Sequence, residues 1–279
     1  MNKEILKVPF YSINNNELRY LNKYKICELP KEENIKAYIL KEEGALVSNV
    51  DKRIHKNKAL ILEPHCDDFS LSALPYTLNN CNVKVLNIFS KTNIEFFTWN
   101  HLFKITESEY EKLRLDESKF AIEEVLKEEF TSLKEASTRI TDKTVNELEK
   151  IILNKLLEEL KKDKFTTIMV PIGVGNHPDH IIVYDSIMNN KELFKDYKII
   201  LYPEFPYSRN RKDYYERLNI VEKDNKLNSI AIDVDDKLET MADIISIYRS
   251  QFDDINRSQM LAIIREDARA SSFVYYEVK

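Results

Sequence analysis

The sequence predicts an α/β protein with a Rossmann-like, mostly parallel sheet, flanked by helices and preceded by an N-terminal extension. Short apolar runs of the kind that parallel sheets bury recur from residue 58 onward. Longer stretches with apolar residues at helical spacing separate these runs. Three of the five histidines and two of the three glycines lie in two short segments that each follow such a run. This placement is typical of sheets whose strands end at a binding site.

Length and composition limit the class of protein. The 279 residues suffice for one large domain or two small ones, and 43% apolar with 32% charged residues is typical of a globular chain. A formal net charge of −5 argues against nucleic acid or an anionic membrane as a partner. The three cysteines are irregularly spaced, which argues against a disulfide framework. We expect a single domain over residues 57–279, with residues 1–56 packed on it as an extension.

No pattern for export or membrane insertion is visible. The first residues lack the apolar core of about 7–15 residues that a signal peptide needs. No apolar run approaches the ~20 residues of a membrane span. We therefore expect a cytoplasmic enzyme or binding protein without a membrane span, and the sequence leaves its oligomeric state open.

Each predicted element follows from its local pattern. Proline lacks a backbone N–H and clashes with the preceding turn, so Pro75 is expected to end or kink the first helix. Apolar stripes at helical spacing predict helices at residues 70–74, 106–127, 142–162 and 236–252. Buried-type apolar runs predict strands at residues 59–62, 83–89, 166–170, 199–202, 229–232 and 272–278.

A first polar cluster, Pro64-His65-Cys66-Asp67-Asp68, follows the strand predicted at residues 59–62. His65 and Asp68 are three residues apart, so one helical turn directs both side chains to the same side. An imidazole and a carboxylate suit Zn²⁺ or a similar divalent ion, and Asp67 could then serve as a base. A turn followed by a helix N-cap is the alternative for this segment, since aspartate is favoured where helices begin.

A second cluster, Asn176-His177-Pro178-Asp179-His180, follows the strand predicted at residues 166–170. Two glycines just before it favour a backbone that bends tightly. Pro178 suits the first turn of a helix, which would place both histidines near a helix N-terminus. For this pair alone, exposed or core histidines are the alternative. Together, the two clusters predict a metal site with a position for water, as in catalytic zinc sites.

The two clusters resemble the motifs of the LmbE-like, or PIG-L-like, N-acetyl-sugar deacetylases, which read roughly Pro-His-Pro-Asp-Asp-Glu and His-Pro-Asp-His. Two further segments are similar to family segments: Arg114-x-x-Glu117-x-x-x-Ala121 and Tyr248-Arg249-Ser250-Gln251. The resemblance spans about residues 60–251. It implies zinc-dependent (or other divalent-metal-dependent) removal of an N-acetyl or other N-acyl group from an amino sugar or related small conjugate.

Position by position, the resemblance implies a role for each residue of the clusters. It implies Asp67 as the general base that takes a proton from metal-bound water. It implies His177 as the protonated or hydrogen-bonding group near the developing oxyanion. The implied metal ligands are His65, Asp68 and His180.

Two residues outside the clusters are candidates for substrate contact. Arg114 is expected to reach an anion or a sugar hydroxyl, with a solvated helix arginine as the alternative. Tyr207 ends the segment Tyr202-Pro203-Glu204-Phe205-Pro206-Tyr207, which follows a predicted strand. A rigid aromatic loop suits a sugar face, and an ordinary loop stiffened by two prolines is the alternative.

The chain also departs from the family pattern. Cys66 and Phe69 stand where the family usually has proline and glutamate, and an aromatic-rich segment at residues 90–99 replaces a glycine-containing one. Cys66 is expected to be a small core residue. The change at Phe69 affects ligand orientation and substrate contacts more than the metal itself. Two other functions stay open: a catalytically silent binding or structural protein, and a metal hydrolase of another amide or an ester.

Overall fold

The computed structural model describes residues 57–78, 81–93, 95, 106–248, 250–252, 257–269 and 273–279, together with four short strands nearer the N-terminus. These strands form two antiparallel pairs, β1 (Glu4–Ile5) with β4 (Leu46–Val47) and β2 (Arg19–Asn22) with β3 (Lys25–Glu28). How the side chains of residues 1–56 pack lies outside the described residues. The predicted division into an extension and a main domain therefore stays a prediction.

A seven-stranded sheet is the centre of the described chain. Five neighbouring strands are parallel, and β11 runs antiparallel between β9 and β10. The predicted mostly parallel α/β fold is confirmed. In spatial order the strands are β10 (Leu227–Ala231), β11 (Val274–Val278), β9 (Lys198–Tyr202), β8 (Thr167–Pro171), β5 (Lys58–Glu63), β6 (Asn82–Lys91) and β7 (Glu129–Ala136).

Helices cover both faces of this sheet. Alternate residues of β5 enter different cores, Ala59 and Ile61 on one face and Leu60 and Leu62 on the other, because successive strand side chains point to opposite faces. The first core includes residues of α1, α6 and α7, and the second includes residues of α3, α4 and α5. The helices are α1 (Leu74–Thr77), α2 (Glu107–Lys119), α3 (Val145–Leu160), α4 (Pro178–Met188), α5 (Arg211–Asp224), α6 (Leu238–Ile245) and α7 (Arg257–Arg269).

The predicted helices form, with shifted ends. Capping boxes at Thr106 and Thr144 begin α2 and α3, and π-helical turns continue α2 over Phe120–Val125. The helix predicted at residues 236–252 is shorter, since α6 ends at Ile245. Pro75 was expected to end or kink the first helix, and it does not end it: Phe69–Ala73 is π-helical and passes into α1, with the proline in the first turn of α1. Proline is tolerated there because the first N–H groups of a helix need no partner within it.

Among the described strands of the seven-stranded sheet and the α-helices, three were not predicted from the sequence: β7, α5 and α7. Strand β7 lies at one edge of the sheet and is only partly buried, so it lacks the apolar run by which the buried strands were recognised. Helix α5 is dominated by charged residues and buries only a narrow stripe. Within the described residues, no helix combines the length and the apolar character needed to cross a membrane.

The strand order places the two polar clusters side by side. From β5 the chain builds β6 and β7 on one side, and then returns to add β8 and β9 on the other. Strands β5 and β8 are therefore direct parallel neighbours, paired from Ala59 and Thr167 onward. At such a reversal the loops after the strands separate and leave a crevice at the carboxyl edge. Both polar clusters follow these two strands directly.

Candidate functional site

The loop after β5 is a tight turn that folds a carboxylate back over its own backbone. The backbone N–H groups of Asp67 and Asp68 donate to the His65 carbonyl, at 2.8 and 3.2 Å. Asp68 Oδ2 in turn accepts the His65 backbone N–H at 2.8 Å, and Asp68 is only 4% exposed. The turn thus brings the Asp68 carboxylate and the His65 ring to the same side.

The loop after β8 owes its shape to glycine. Gly173 and Gly175 have φ of 85° and 75°, in the left-handed region that side chains disfavour. A Cβ on Gly173 would also lie 2.5 Å from Ile181 Cδ1. The loop leads into α4, where His177 is the N-cap and accepts the Asp179 backbone N–H on Nδ1 at 3.2 Å. His180 lies in the first turn of α4, directed towards the loop after β5.

Three donor atoms from the two loops form a compact group, which we call the donor triangle: His65 Nδ1, Asp68 Oδ2 and His180 Nε2. His180 Nε2 lies 3.2 Å from His65 Nδ1 and 3.3 Å from Asp68 Oδ2, and the third side of the triangle measures 3.5 Å. Ligands of a tetrahedral zinc with bonds of about 2.0–2.1 Å are separated by about 3.3 Å. The spacing and the nitrogen and oxygen donors therefore fit a zinc-like ion.

Each histidine of the donor triangle is also bound on its far nitrogen by a buried carboxylate. His65 Nε2 lies 2.8 Å from Asp179 Oδ2, and His180 Nδ1 lies 3.1 Å from Glu204 Oε1. The backbone N–H of Thr138 donates to Asp179 at 2.7 Å. A carboxylate on one ring nitrogen holds the proton there and leaves the other nitrogen free to bind a metal.

Asp179 and Glu204 are site residues for which the sequence predicts no role. Asp179 stands within the second cluster, so its proximity to a ligand was visible, but its partner His65 is 114 residues away. Glu204 follows β9, the neighbour of β8 in the sheet. A strand that pairs with a site-bearing strand is the signal that could have pointed to it.

The electrostatics of the donor triangle favour a cation at its centre. Burial raises the pKa of Asp68, but His180 and His65 outweigh it and lower that pKa well below its usual range. For His180, burial acts to lower the pKa, yet Asp68 and Glu204 raise it to about 10. Without a metal, a proton on His180 is therefore stabilised by the two carboxylates on either side of the ring. A divalent cation in the donor triangle would interact with the Asp68 carboxylate in place of that proton and would displace the proton from His180 Nε2.

Asp67 lies beside the donor triangle and is bound by an arginine. Arg114 from α2 donates to Asp67 Oδ1 at 3.0 Å and is only 5% exposed. Burial raises the pKa of Asp67, and Arg114 opposes this effect. The alternative of a solvated helix arginine is wrong, and the predicted substrate contact of Arg114 stays a prediction. Its guanidinium holds the Asp67 carboxylate, although Arg114 also borders the cavity described below.

His177 packs against both histidines of the donor triangle and is half-buried. Its ring centroid lies 4.9 Å from that of His65 and 5.1 Å from that of His180. Burial, followed by the neighbouring histidines, lowers the pKa of His177 to about 4, so the ring is neutral near pH 7. Because Nδ1 accepts the Asp179 N–H, the proton of the neutral ring resides on Nε2.

The three histidines form a second possible donor set. One ring nitrogen each of His65, His177 and His180 lies within 4.8 Å of the others. The proton on His177 Nε2 argues against this set, because a protonated nitrogen has no lone pair for a metal. The donor triangle, which uses Asp68 as the third donor, also has to release a proton from His180, but its atoms lie within 3.2–3.5 Å of one another, closer to zinc-ligand spacing than the 4.8 Å of the three histidines.

A cavity of about 420 Å³ opens over the donor triangle. The predicted pocket residue Tyr207 lies on its wall, with a ring centroid 5.7 Å from that of His180. Thr92 and Asn93 line the cavity from the segment at residues 90–99. The aromatic residues of that segment lie outside the described part of the chain. The cavity is lined by both polar and aromatic side chains, among them Asn93, Arg139, Asn176, Phe205, Tyr207 and Phe252.

The two substitutions relative to the family pattern point into the core. Phe69 is fully buried, and its backbone N–H donates to Glu63 at 3.1 Å. Cys66 is 1% exposed, and burial raises the pKa of its thiol well above the usual value, so no thiolate is available to a metal. Neither residue borders the cavity over the donor triangle.

The two other segments that resemble family motifs, around Glu117 and around Ser250, are hydrogen-bonded to each other. Glu117 accepts hydrogen bonds from the Ser250 backbone N–H at 2.8 Å and the Ser250 hydroxyl at 2.6 Å. Gln251 donates to the Tyr110 hydroxyl at 2.9 Å. The segment containing Ser250 thus anchors α2, the helix that carries Arg114.

Comparison with known proteins identifies shared folds. No protein-family model matches the chain, and no curated protein matches its sequence. A deacetylase solved as a complex with bog, from the biosynthesis pathway of teicoplanin, is 15% identical, with a TM-score of 0.61 over 80% of this chain and 98% of that one. The zinc-inhibited form of teicoplanin deacetylase is 13% identical, with a TM-score of 0.57 over 80% and 98%.

The fold is not confined to deacetylases. GalB, the 4-carboxy-2-hydroxymuconate hydratase from Pseudomonas putida KT2440, is 12% identical, with a TM-score of 0.52 over 80% of this chain and 94% of that one. At such identities the likeness concerns the fold, and the fold implied by the motif resemblance is confirmed. Since one fold carries different reactions, the reaction has to be argued from the site.

Proposed function

We propose that this chain is a divalent-metal-dependent hydrolase that removes an N-acetyl or other N-acyl group from an amino sugar or a related small conjugate. The observation that carries the proposal is the donor triangle, which has Asp67 on one side, His177 on another and a cavity above it. The motif resemblance and the deacetylases among the structural neighbours support the same reaction. The cytoplasmic location expected from the sequence belongs to this proposal.

The proposed metal ligands are His65, Asp68 and His180. A zinc-like ion bound there would supply Lewis acidity and lower the pKa of a bound water towards neutrality. Asp179 and Glu204 hold the protons of the two histidines on the side away from the ion, so that both rings are oriented before it binds.

Asp67 is the proposed general base. Its carboxylate takes a proton from the attacking water and returns it to the leaving amine, which needs protonation before the C–N bond breaks. Arg114 holds one carboxylate oxygen, fixing the orientation of Asp67 in a buried environment. The raised pKa of Asp67 brings its basicity closer to that of the groups with which it exchanges the proton.

His177 is the proposed hydrogen-bond donor to the developing oxyanion. The neutral ring carries its proton on Nε2, because Nδ1 accepts the Asp179 N–H. A donor fixed by the helix N-terminus stabilises charge in the transition state without reorganising. The resemblance implied either a protonated or a hydrogen-bonding group, and the neutral ring supports the second role.

The proposal is tested by measuring metal content and amide hydrolysis on the same preparations. We expect about one equivalent of zinc-like metal and acetate release from N-acetylglucosamine-containing substrates that is lost in Asp67→Asn. Because one structurally similar protein, a teicoplanin deacetylase, has a zinc-inhibited form, Zn²⁺ should be tested both at one equivalent and in excess. Co²⁺ and Mn²⁺ should be tested in parallel. Metal without hydrolysis across N-acyl and ester panels would favour the silent binding protein, and ester hydrolysis alone would favour the other hydrolase.

A further inference from the structure

We infer that Glu204 is a positioning residue, which fixes the ring of His180 so that Nε2 faces the metal. The inference rests on the proposed function, because it assigns a partner to one of the proposed ligands. Glu204 is fully buried and follows the last residue of β9 by two positions. Its carboxylate lies behind the His180 ring, on the side opposite the donor triangle.

Backbone donors fix the carboxylate itself. The Gly173 N–H donates to Glu204 Oε1 at 2.6 Å, and the Val174 N–H donates to Oε2 at 3.1 Å. Gly173 is left-handed, with φ of 85°, and successive N–H groups in such a turn form a concavity that binds anions. The Ser208 N–H also donates to the Glu204 carbonyl at 2.8 Å, which ties the main chain at the same point. The position of the Glu204 carboxyl group is therefore fixed by the backbone around it.

The His180 ring receives its orientation from this carboxyl group. Oε1 of Glu204 lies 3.1 Å from Nδ1, and the opposite nitrogen, Nε2, lies 3.3 Å from Asp68 Oδ2 and 3.2 Å from His65 Nδ1. With the proton held on Nδ1, Nε2 keeps its lone pair in the donor triangle. Without the carboxylate, nothing in this contact opposes the tautomer that carries the proton on Nε2, which cannot bind a metal.

The chain supplies a matched control in Glu63. It is also a fully buried glutamate at the carboxyl end of a central strand, β5. Its carboxylate accepts the Phe69 N–H at 3.1 Å and the Asn87 side-chain amide at 3.2 Å. Glu63 therefore resembles Glu204 in burial and position, while its hydrogen-bond partners do not include the histidines of the donor triangle.

The experiment compares the wild type, Glu204→Gln and Glu63→Gln by chelator competition with Zn²⁺ and Co²⁺, and by thermal unfolding without metal. We expect Glu204→Gln to weaken metal affinity about 10–100-fold, the usual effect of losing such a partner. Glu63→Gln should leave the affinity unchanged. The Co²⁺ absorption spectrum should change only in Glu204→Gln, since a purely structural role would alter the unfolding temperature but not the geometry of bound metal.

Equal affinities in the wild type and Glu204→Gln would overturn the inference while leaving the proposed function intact. A wild type that binds no divalent metal would overturn both. If Glu204→Gln fails to fold, Glu204→Asp replaces it in the same chelator competition, since aspartate is one methylene shorter and loses the contact with Nδ1 of His180. Weakened metal affinity in Glu204→Asp supports the inference, and wild-type affinity overturns it.

Discussion

The cavity has two parts that are built differently. Its floor consists of His65, Asp67 and Asp68, which line the cavity, and of the fully buried His180, which contacts His65 and Asp68. These residues are held by protein partners at 2.8–3.5 Å, and none of their side chains is more than 13% exposed. Its rim, formed by Asn93, Arg139, Asn176, Tyr207 and Phe252, is exposed or half-buried, with Tyr207 at 38%. The floor is thus buried and hydrogen-bonded within the protein, whereas the rim is more exposed to solvent.

Under the proposed function, the floor would carry out the reaction and the rim would select the substrate. Groups that act on a reacting bond gain most when their orientation needs no reorganisation during the reaction, and the floor meets this condition through Asp179, Glu204 and Arg114. A rim that contacts the rest of the substrate contributes to binding in both the ground state and the transition state. Substitutions in the floor should therefore affect metal and rate, and substitutions in the rim should affect affinity for the substrate.

The largest effect is expected at the donor triangle. His180→Ala should abolish stoichiometric metal binding, because it removes a ligand outright rather than one of its partners. The loss of metal affinity should be larger than the weakening of about 10–100-fold that is typical when only a hydrogen-bond partner of a ligand is removed. Metal content after dialysis measures it, with Tyr207→Phe as the control that keeps its metal. Full metal content in His180→Ala would show that the metal binds elsewhere.

Asp67→Asn should separate rate from metal within the floor. The amide retains the shape but cannot accept the proton, so kcat should fall by about 10²–10⁴-fold while metal content stays at the wild-type level. Steady-state kinetics and metal analysis on the same sample measure both. A variant with undiminished kcat would remove Asp67 from the chemistry and weaken the contrast between floor and rim.

A smaller effect is expected at the rim. Tyr207→Ala removes an aromatic wall next to His180 and should raise KM about 10-fold, at the low end of the about 10–200-fold that a modest change in pocket contacts produces. Its kcat and metal content should match the wild type. If kcat falls as strongly as in Asp67→Asn, Tyr207 belongs functionally to the floor.

The smallest effect concerns stability behind the floor. Burial raises the pKa of Glu117 to about 8, against the opposing influence of Ser250 and Arg114. Between about pH 4.5 and 8, Glu117 is then protonated in the folded chain and ionised in the unfolded chain. Its contribution to the free energy of unfolding is therefore complete below about pH 4.5 and is lost as the pH rises towards 8. Glu117→Gln, which cannot ionise, should show a flatter decline in unfolding free energy over this range. Identical pH profiles for both proteins in urea titrations would contradict the assignment.

Local patterns were sufficient for most of the sheet and for finding the two polar clusters. The strands at β5, β6, β8 and β9 were predictable because strands buried on both faces read as continuous apolar runs. Strand β7 and helix α5 were not, since an edge strand and a mostly solvated helix carry weak apolar patterns. Their identity as elements depends on neighbours that they contact only after folding.

The partners of the site residues were beyond reach of the sequence for the same reason. Arg114 is 47 residues from Asp67, and Glu204 is 24 residues from His180, so no helical or strand spacing links either pair. By itself the sequence indicated which side chains could bind a metal, because His65 with Asp68, and His177 with His180, follow strands at a spacing of three residues. The choice of His65, Asp68 and His180 as the ligand set was implied by the motif resemblance. Only the tertiary structure decided that these three meet, with Asp179 and Glu204 behind them. Parallel pairing of β5 with β8, and of β8 with β9, is a contact between distant segments that local patterns do not encode.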